Sequence, residues 1–241
     1  TTIVINRPEV RNACDQETIS LLWEAFGGFA ADPDQQVAVL TGAGGIFCAG
    51  ADLKELSTGK GIGFAWAGPE RGITRRQLAK PVIAAVEGHA VAAGLALAVW
   101  CDLRVADETA VFGVFCRRFG VPMTNGASIR LPRLIGQSRA LDMYLTGRAV
   151  DAQEAYSIGL ANRLVAKGTA RKAAEELARE IAAFPQQCLR SDREALLRQW
   201  DMPEEEAIRL EVELGQTAFR EEAQTGAGRF TGGSGRHGAF R

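Results

Sequence analysis

The chain has 241 residues, 46% of them hydrophobic, a net charge of −1 and a pI near 6.2. This is enough apolar matter for a sizeable core, and the near-neutral charge sets up no long-range field for nucleic acid or an anionic membrane, so a phosphate-bearing ligand has to be held locally. Five scattered cysteines, Cys14, Cys48, Cys101, Cys116 and Cys188, include no CxxC pair and read as reduced thiols in a cytoplasmic protein.

In chain order, TTIVINRPEV lacks the basic region and apolar run of a signal peptide. Thr2 to Ile5 has strand character. Asn12 or Asp15 is placed to cap a helix reaching about Ala31, with Ile19, Leu22, Trp23, Phe26 and Phe29 on one face. Val37 to Leu40 reads as a short buried strand. Gly42, Gly44 and Gly45 then form a loop, and Ala49-Gly50-Ala51 a tight turn into a helix from near Asp52. The segment Ser57 to Pro69 has four glycines and no period, which predicts a mobile loop before a helix from about Glu70 to Ala79.

Lys80 to Asp102, KPVIAAVEGHAVAAGLALAVWCD, changes from strand to helix character across a small-residue turn. Val82 to Val86 is too apolar to alternate, as in a strand buried on both faces. From Ala92 to Trp100 the residues are small or good helix formers, so a helix should begin near Ala92 with unpartnered N–H groups that attract negative charge. Glu87, Gly88, His89 and Gly94 break up the apolar run, and no membrane span is expected. Leu103 to Ala106 and Val111 to Phe115 read as strands, and Gly126 to Leu134 and Gln137 to Leu145 as short helices. Asp151 caps a helix to about Ile158, and Asn162 to Val165 is a strand. Helical spacing then covers Ala170 to Phe184, Pro185 to Trp200 and Pro203 to Ala223. The alternation predicts an α/β core over 1–184, and the shift in composition near Pro185 predicts a helical lobe over 185–241 with a glycine-rich, flexible tail. Leu196, Leu197, Trp200, Ile208 and Leu210 exceed what a short lobe can bury, so the protein should not be a monomer.

Several chemistries are excluded. TGAGG follows a strand, but Phe47 stands where a GxGxxG motif needs its third glycine, and no acid follows at the required distance. His89 and His237 are the only histidines, and without HExxH or a cysteine cluster no metal site is expected. GxSxG is also missing.

FCAGADLKEL and VEGHAVAAGLALAVWCD together resemble the enoyl-CoA hydratase/isomerase (crotonase) superfamily. NRPEVRNA at Asn6 to Ala13, the FGV element at Phe119 to Val121, RLPRLIG at Arg130 to Gly136 and LTGRAVDAQEAYSIGLANRLV at Leu145 to Val165 look like the same family in the same order. The resemblance implies an α/β spiral of ββα units with a helical C-terminal lobe, in a homotrimer or hexamer. It also implies that the numbering opens inside the first hairpin. The expected substrate is an acyl-CoA thioester, with coenzyme A entering as part of the substrate and no other cofactor. The amides of Ala51 and Ala93 would form an oxyanion hole, with Ala49, Gly50, Asp52, Leu53, Lys54 and His89 around the substrate, Lys54 near the CoA nucleotide and 57–69 beside the acyl tail. The plain alternatives are that small residues at 51 and 93 only permit tight turns, and that His89 only packs.

Two departures follow from the same resemblance. Hydratases of the family carry two glutamates that hold and activate water, and the matched blocks place Ala96 and Cys116 there. Neither does the work of a carboxylate. The aspartate that other members use falls at Thr124 or Asn125. An amide at Asn125 holds a water or carbonyl but shuttles no proton, and its plain alternative is an N-cap for the helix that follows. Glu87 and Glu70 are the nearest remaining carboxylates. Arg117 and Arg118 have no assigned role.

Overall fold

The computed structural model describes residues 1–59 and 72–235. These form two compact units, Thr1–Arg179 and Glu180–Arg241.

In the first unit β1 (Thr2–Ile5) leads to α1 (Gln16–Ala31). Asp15 starts the helix by accepting the Thr18 N–H at 2.8 Å. The buried Lys80 ammonium closes its other end by donating to the carbonyls of Phe29 and Asp32. There follow β2 (Ala38–Gly42), α2 (Leu53–Ser57), β3 (Val82–Val86), β4 (His89–Val91), α3 (Ala93–Trp100), β5 (Leu103–Asp107) and β6 (Val111–Gly113). After them come α4 (Ala127–Ile135), α5 (Gln137–Thr146), β7 (Ala149–Asp151), α6 (Ala152–Ser157), β8 (Arg163–Val165) and α7 (Ala170–Ala182), of which 180–182 fall in the second unit.

The strands sort into a parallel five-stranded sheet, β1-β2-β3-β5-β8, and a three-stranded sheet, β4-β6-β7. In the larger sheet Val39 lies opposite Ile83 and Ala84 opposite Arg104. In the smaller one His89 lies opposite Val111 in parallel and Val111 opposite Asp151 in antiparallel pairing. Consecutive strands β3 and β4 enter different sheets, as do β5 and β6, and β7 and β8, whereas β1 and β2 both join the larger one. β3 is wholly buried, as a run without a polar face requires.

Three expectations change. The described part of the helix expected over 70–79 is a single 3-10 turn, Ile73–Arg75. Arg76 is committed elsewhere: its carbonyl accepts the Trp100 indole N–H at 3.0 Å and its guanidinium donates to the Trp23 carbonyl at 2.6 Å. The strand expected over 111–115 stops at Gly113, and Phe115–Phe119 is a 3-10 turn. The loop expected over 57–69 lies, from residue 60 on, outside the described residues.

The second unit contains α8 (Gln186–Arg198), α9 (Glu204–Ala218), a π turn at Phe219–Ala223 and α10 (Gln224–Thr231). Pro185 offers no side-chain cap, and the Glu222 carboxylate instead accepts the N–H groups of Gln187 and Cys188 at 3.1 and 2.8 Å. Part of the tail expected to be flexible is therefore helical, because helical dihedrals continue through Ala223 into α10. Leu196, Leu197, Trp200 and Ile208 are exposed, and Leu210 is half-buried.

Candidate active site

The two small-residue stretches lie side by side. The Phe47 N–H donates to the Glu87 carbonyl at 2.7 Å, the Cys48 N–H to His89 at 2.8 Å, and the Val91 N–H back to Cys48 at 3.1 Å. Only glycine fits at two of the contacts. Gly50 has φ +102°, and a β-carbon there would lie 2.9 Å from Ala92 Cβ and 3.1 Å from the Ala93 nitrogen. A β-carbon on Gly94 would fall 2.1 Å from the Cys48 carbonyl oxygen. The backbones of 48–51 and 92–94 are thus in direct contact.

Each turn is held from its far side. The Ala92 N–H donates to the Gly113 carbonyl at 2.8 Å, and the residue sits at φ 52°, ψ −123°. Such a conformation costs a non-glycine residue about 1–3 kcal/mol. The Cys14 N–H donates to Gly50 at 2.8 Å and the Asp52 N–H to Cys14 at 2.9 Å, which brackets Ala51. Among the described residues nothing accepts the N–H of Ala51 or Ala93. Donors held rigidly in this way stabilise an oxygen that gains negative charge.

Sequence reasoning missed what holds this frame. Asn12 is wholly buried, and its amide donates to the carbonyls of Ala43 and Ile46 while accepting the Arg7 N–H at 2.9 Å. It fastens the glycine loop, and Asp15 alone caps α1. The local signal offered only a polar residue before a helix. The buried sulfurs of Cys14 and Cys48 lie 3.8 Å apart, and the Gly50 N–H points at Cys48 Sγ at 3.3 Å. The Cys48 thiol and burial push the Cys14 thiol well above the usual range, so it packs as an apolar group.

The other expected residues divide. Ala49 is half-buried, and its N–H donates to Arg11 at 3.1 Å. Asp52 caps α2 by accepting the Lys54 N–H at 3.0 Å, and it faces Arg7 at 3.4 Å. Leu53 and Lys54 are exposed. His89 is half-buried; it pairs with Val111 of β6, and its carbonyl accepts the Cys48 N–H. Glu87 is half-buried, and Glu70 lies outside the described residues.

Ala96 is wholly buried in α3. Cys116 follows Gly113, which holds Ala92, by three residues, and burial pushes its thiol upward. It stays protonated at neutral pH and is no base. Arg117 donates from Nε to the Tyr144 carbonyl at 3.1 Å, and Arg118 from Nη2 to the Gly147 carbonyl at 2.6 Å. The Arg118 guanidinium also lies 4.0 Å from the centre of the Phe115 ring. The two arginines fasten the Cys116 turn to the end of α5. Asn125 is 4% exposed, and its Oδ1 has no partner among the described residues. It is not the N-cap of α4: that position belongs to Gly126, at φ 79°, with no side-chain bond to the helix.

A family model described as enoyl-CoA hydratase/isomerase matches residues 1–232. The chain belongs to this family. It is 39% identical over 228 residues to enoyl-CoA hydratase EchA19 of Mycobacterium tuberculosis, covering 90% of this chain and 84% of that protein. To the mevalonyl-coenzyme A hydratase sidH of Aspergillus fumigatus it is 34% identical over 203 residues, covering 83% and 75%. A solved enoyl-CoA hydratase of Mycobacterium tuberculosis superposes with a TM-score of 0.90 at 34% identity, covering 95% of this chain and 91% of that one. The enoyl-CoA hydratase EchA1 of Mycobacterium marinum gives 0.89 at 33% identity over the same shares. The strand-strand-helix spiral is therefore the crotonase fold of the hydratase/isomerase family. Among the described residues no helix is long and apolar enough to cross a membrane, and no group of three or more His, Cys, Asp or Glu is arranged to hold a metal ion.

Proposed function

We propose that this hydratase/isomerase family member acts on acyl-CoA thioesters by holding the thioester oxygen between the amides of Ala51 and Ala93, and that it lacks the carboxylate pair a fast hydratase uses. The observation that carries the reading is the contact of the two turns, in which Gly50 leaves room for nothing larger than hydrogen beside the Ala93 nitrogen. A thioester gains charge on that oxygen as an enolate forms, and each rigid donor is worth about 3 to 4 kcal/mol at that stage. Coenzyme A enters as part of the substrate, with Lys54 exposed at the start of α2 for its nucleotide, and no other cofactor is required.

The positions that the resemblance assigns to the two glutamates hold a buried methyl at 96 and, at 116, a thiol that burial keeps protonated. Neither orients and deprotonates water, a task worth about 10² to 10⁴ in rate. This favours a second reading within the family: a reaction in which the hole suffices, such as decarboxylation, where loss of carbon dioxide leaves the enolate and no base is called on. Calorimetry with acetoacetyl-CoA and free acetoacetate tests the thioester reading. The thioester alone should bind, and equal or absent binding of the two overturns it. A turnover assay over crotonyl-CoA and 2-carboxyacyl-CoA thioesters then separates the two reactions.

The exposed Leu196, Leu197, Trp200 and Ile208 support assembly into a trimer or hexamer through the helical unit. Sedimentation at micromolar concentration should give a multiple of 25.8 kDa, and a single-chain mass contradicts the assembly.

A further inference from the structure

One guanidinium joins the segments around the Ala51 turn. Arg7 donates from Nη1 to the Ala13 carbonyl at 2.6 Å and to Asp52 Oδ2 at 3.4 Å, and its Nη2 meets Asp15 Oδ2 at 2.9 Å. Ala13 and Asp15 flank Cys14, whose backbone carbonyl and N–H hold the Asp52 N–H and the Gly50 carbonyl. Asp15 and Asp52 in turn start α1 and α2 by accepting the N–H groups of Thr18 and Lys54. A second tie between the two helix starts runs from the Gln16 N–H to Glu55 Oε2 at 3.1 Å. Ala51 is therefore bracketed by backbone bonds from Cys14 and by one cation shared between two helix caps.

Stability is a poor account of this arrangement. The Arg7 and Asp15 side chains are 27% and 25% exposed, and ion pairs in such surroundings contribute little to folding. Charge gives a better account. Asp52 follows Ala51 directly, so its carboxylate lies near the amide proposed to hold the thioester oxygen. At 12% exposure that carboxylate is poorly screened by water, and alone it would oppose negative charge growing on the oxygen. It cannot turn away without giving up the cap of α2. Among the described residues the cation paired with it is Arg7.

We infer that Arg7 is a positioning residue for the oxyanion hole: it fixes Asp52 beside Ala51 and offsets its charge, so that the Ala51 amide stabilises an enolate oxygen unopposed. The inference rests on the acyl-CoA reading above and goes beyond it, by adding a charged group to a hole otherwise built of backbone. In the sequence Arg7 stood out only as part of NRPEVRNA, because the acceptor that gives it this role is 45 residues away.

The test is calorimetric titration at neutral pH with acetoacetyl-CoA, whose enolate places charge on the thioester oxygen, and with butyryl-CoA, which stays neutral. The proteins are wild type, Arg7→Met, and Arg7→Met combined with Asp52→Asn, and the near-ultraviolet band of bound acetoacetyl-CoA reports how much of it is enolate. Arg7→Met should bind acetoacetyl-CoA about 5- to 10-fold more weakly, with the enolate band fading, while butyryl-CoA changes by about twofold or less. Asn at 52 removes the opposing charge and still caps α2, so in the combined variant most of the lost affinity and of the band should return. A merely structural role would weaken both thioesters together, and the second substitution would repair nothing. If Arg7→Met does not fold, Asp52→Asn alone decides: relative to butyryl-CoA it should bind acetoacetyl-CoA at least as tightly as the wild type, and a loss overturns the inference. Equal losses for the two thioesters, no loss in Arg7→Met, no recovery in the combined variant, or a wild type that binds acetoacetyl-CoA without the enolate band overturns the role of Arg7 and leaves thioester binding standing. Failure of the wild type to bind either thioester overturns both.

Discussion

The paired turns at 48–51 and 92–94 and the side-chain positions at 96, 116 and 125, which the proposed function assigns to one site, differ in what they need from their residues. The turns work through backbone N–H groups, which every residue except proline supplies, so alanine at 51, 92 and 93 leaves the donors in place. Positions 96 and 116 can do acid/base work only through side chains, and the buried methyl of Ala96 and the protonated thiol of Cys116 supply none. On the proposed reading, such a site would keep its power to stabilise charge without the power to move protons.

The sharpest way to break the backbone half is Gly94→Val. Its β-carbon would overlap the Cys48 carbonyl, and no flexible atom is there to give way. The variant should lose ~3 kcal/mol or more of stability, and thioester binding with it. Thermal unfolding with calorimetry checks both, and a stable variant that still binds would show that the two turns need not touch. Ala92→Gly probes the same turn in the opposite direction. It relieves the positive φ of Ala92 but frees the unfolded chain, for a net gain of up to about 1 kcal/mol. A loss of stability in urea unfolding would mean that Ala92 is not strained.

The smallest effect should come from Arg148, whose guanidinium meets Asp142 and, at 2.6 and 2.8 Å, Glu154. These groups are part-exposed, so Arg148→Met should cost only about 0.5 to 1 kcal/mol. Arg148 holds the Glu154 carboxyl below its usual value. The contribution is therefore present above the ordinary carboxylate range and is lost as pH falls through the lowered value. The wild-type advantage over Arg148→Met should be steady near pH 7 and shrink below about pH 4. An advantage independent of pH would assign the effect to packing.

The same division explains what could be read from the sequence. β1 and β3 have the bounds expected of them, because an apolar, β-branched run between breakers is a local signal. β4 and β7 escaped notice: each has three residues, and its partner lies far along the chain, Val111 for His89 and Asp151 for Val111. The turns at 51 and 93 were legible because their small residues leave a visible pattern. Asn12 and Asn125 were misread for the opposite reason. Asn12 looked like one of two possible caps, but its amide is spent on carbonyls of the glycine loop. Asn125 looked like a cap where glycine does that work.

The most direct test of the division is the rate at which saturating crotonyl-CoA loses its enoyl absorbance, measured for wild type and for Ala96→Glu combined with Cys116→Glu, both confirmed folded. The wild type should bind the thioester yet hydrate it slowly, and the double variant, despite the cost of a carboxylate at the buried position 96, should be faster by at least ~10-fold. Hydration by the wild type at ordinary hydratase rates, of about 10 s⁻¹ or more, would contradict the account and place the base elsewhere, with Glu87 the first residue to replace.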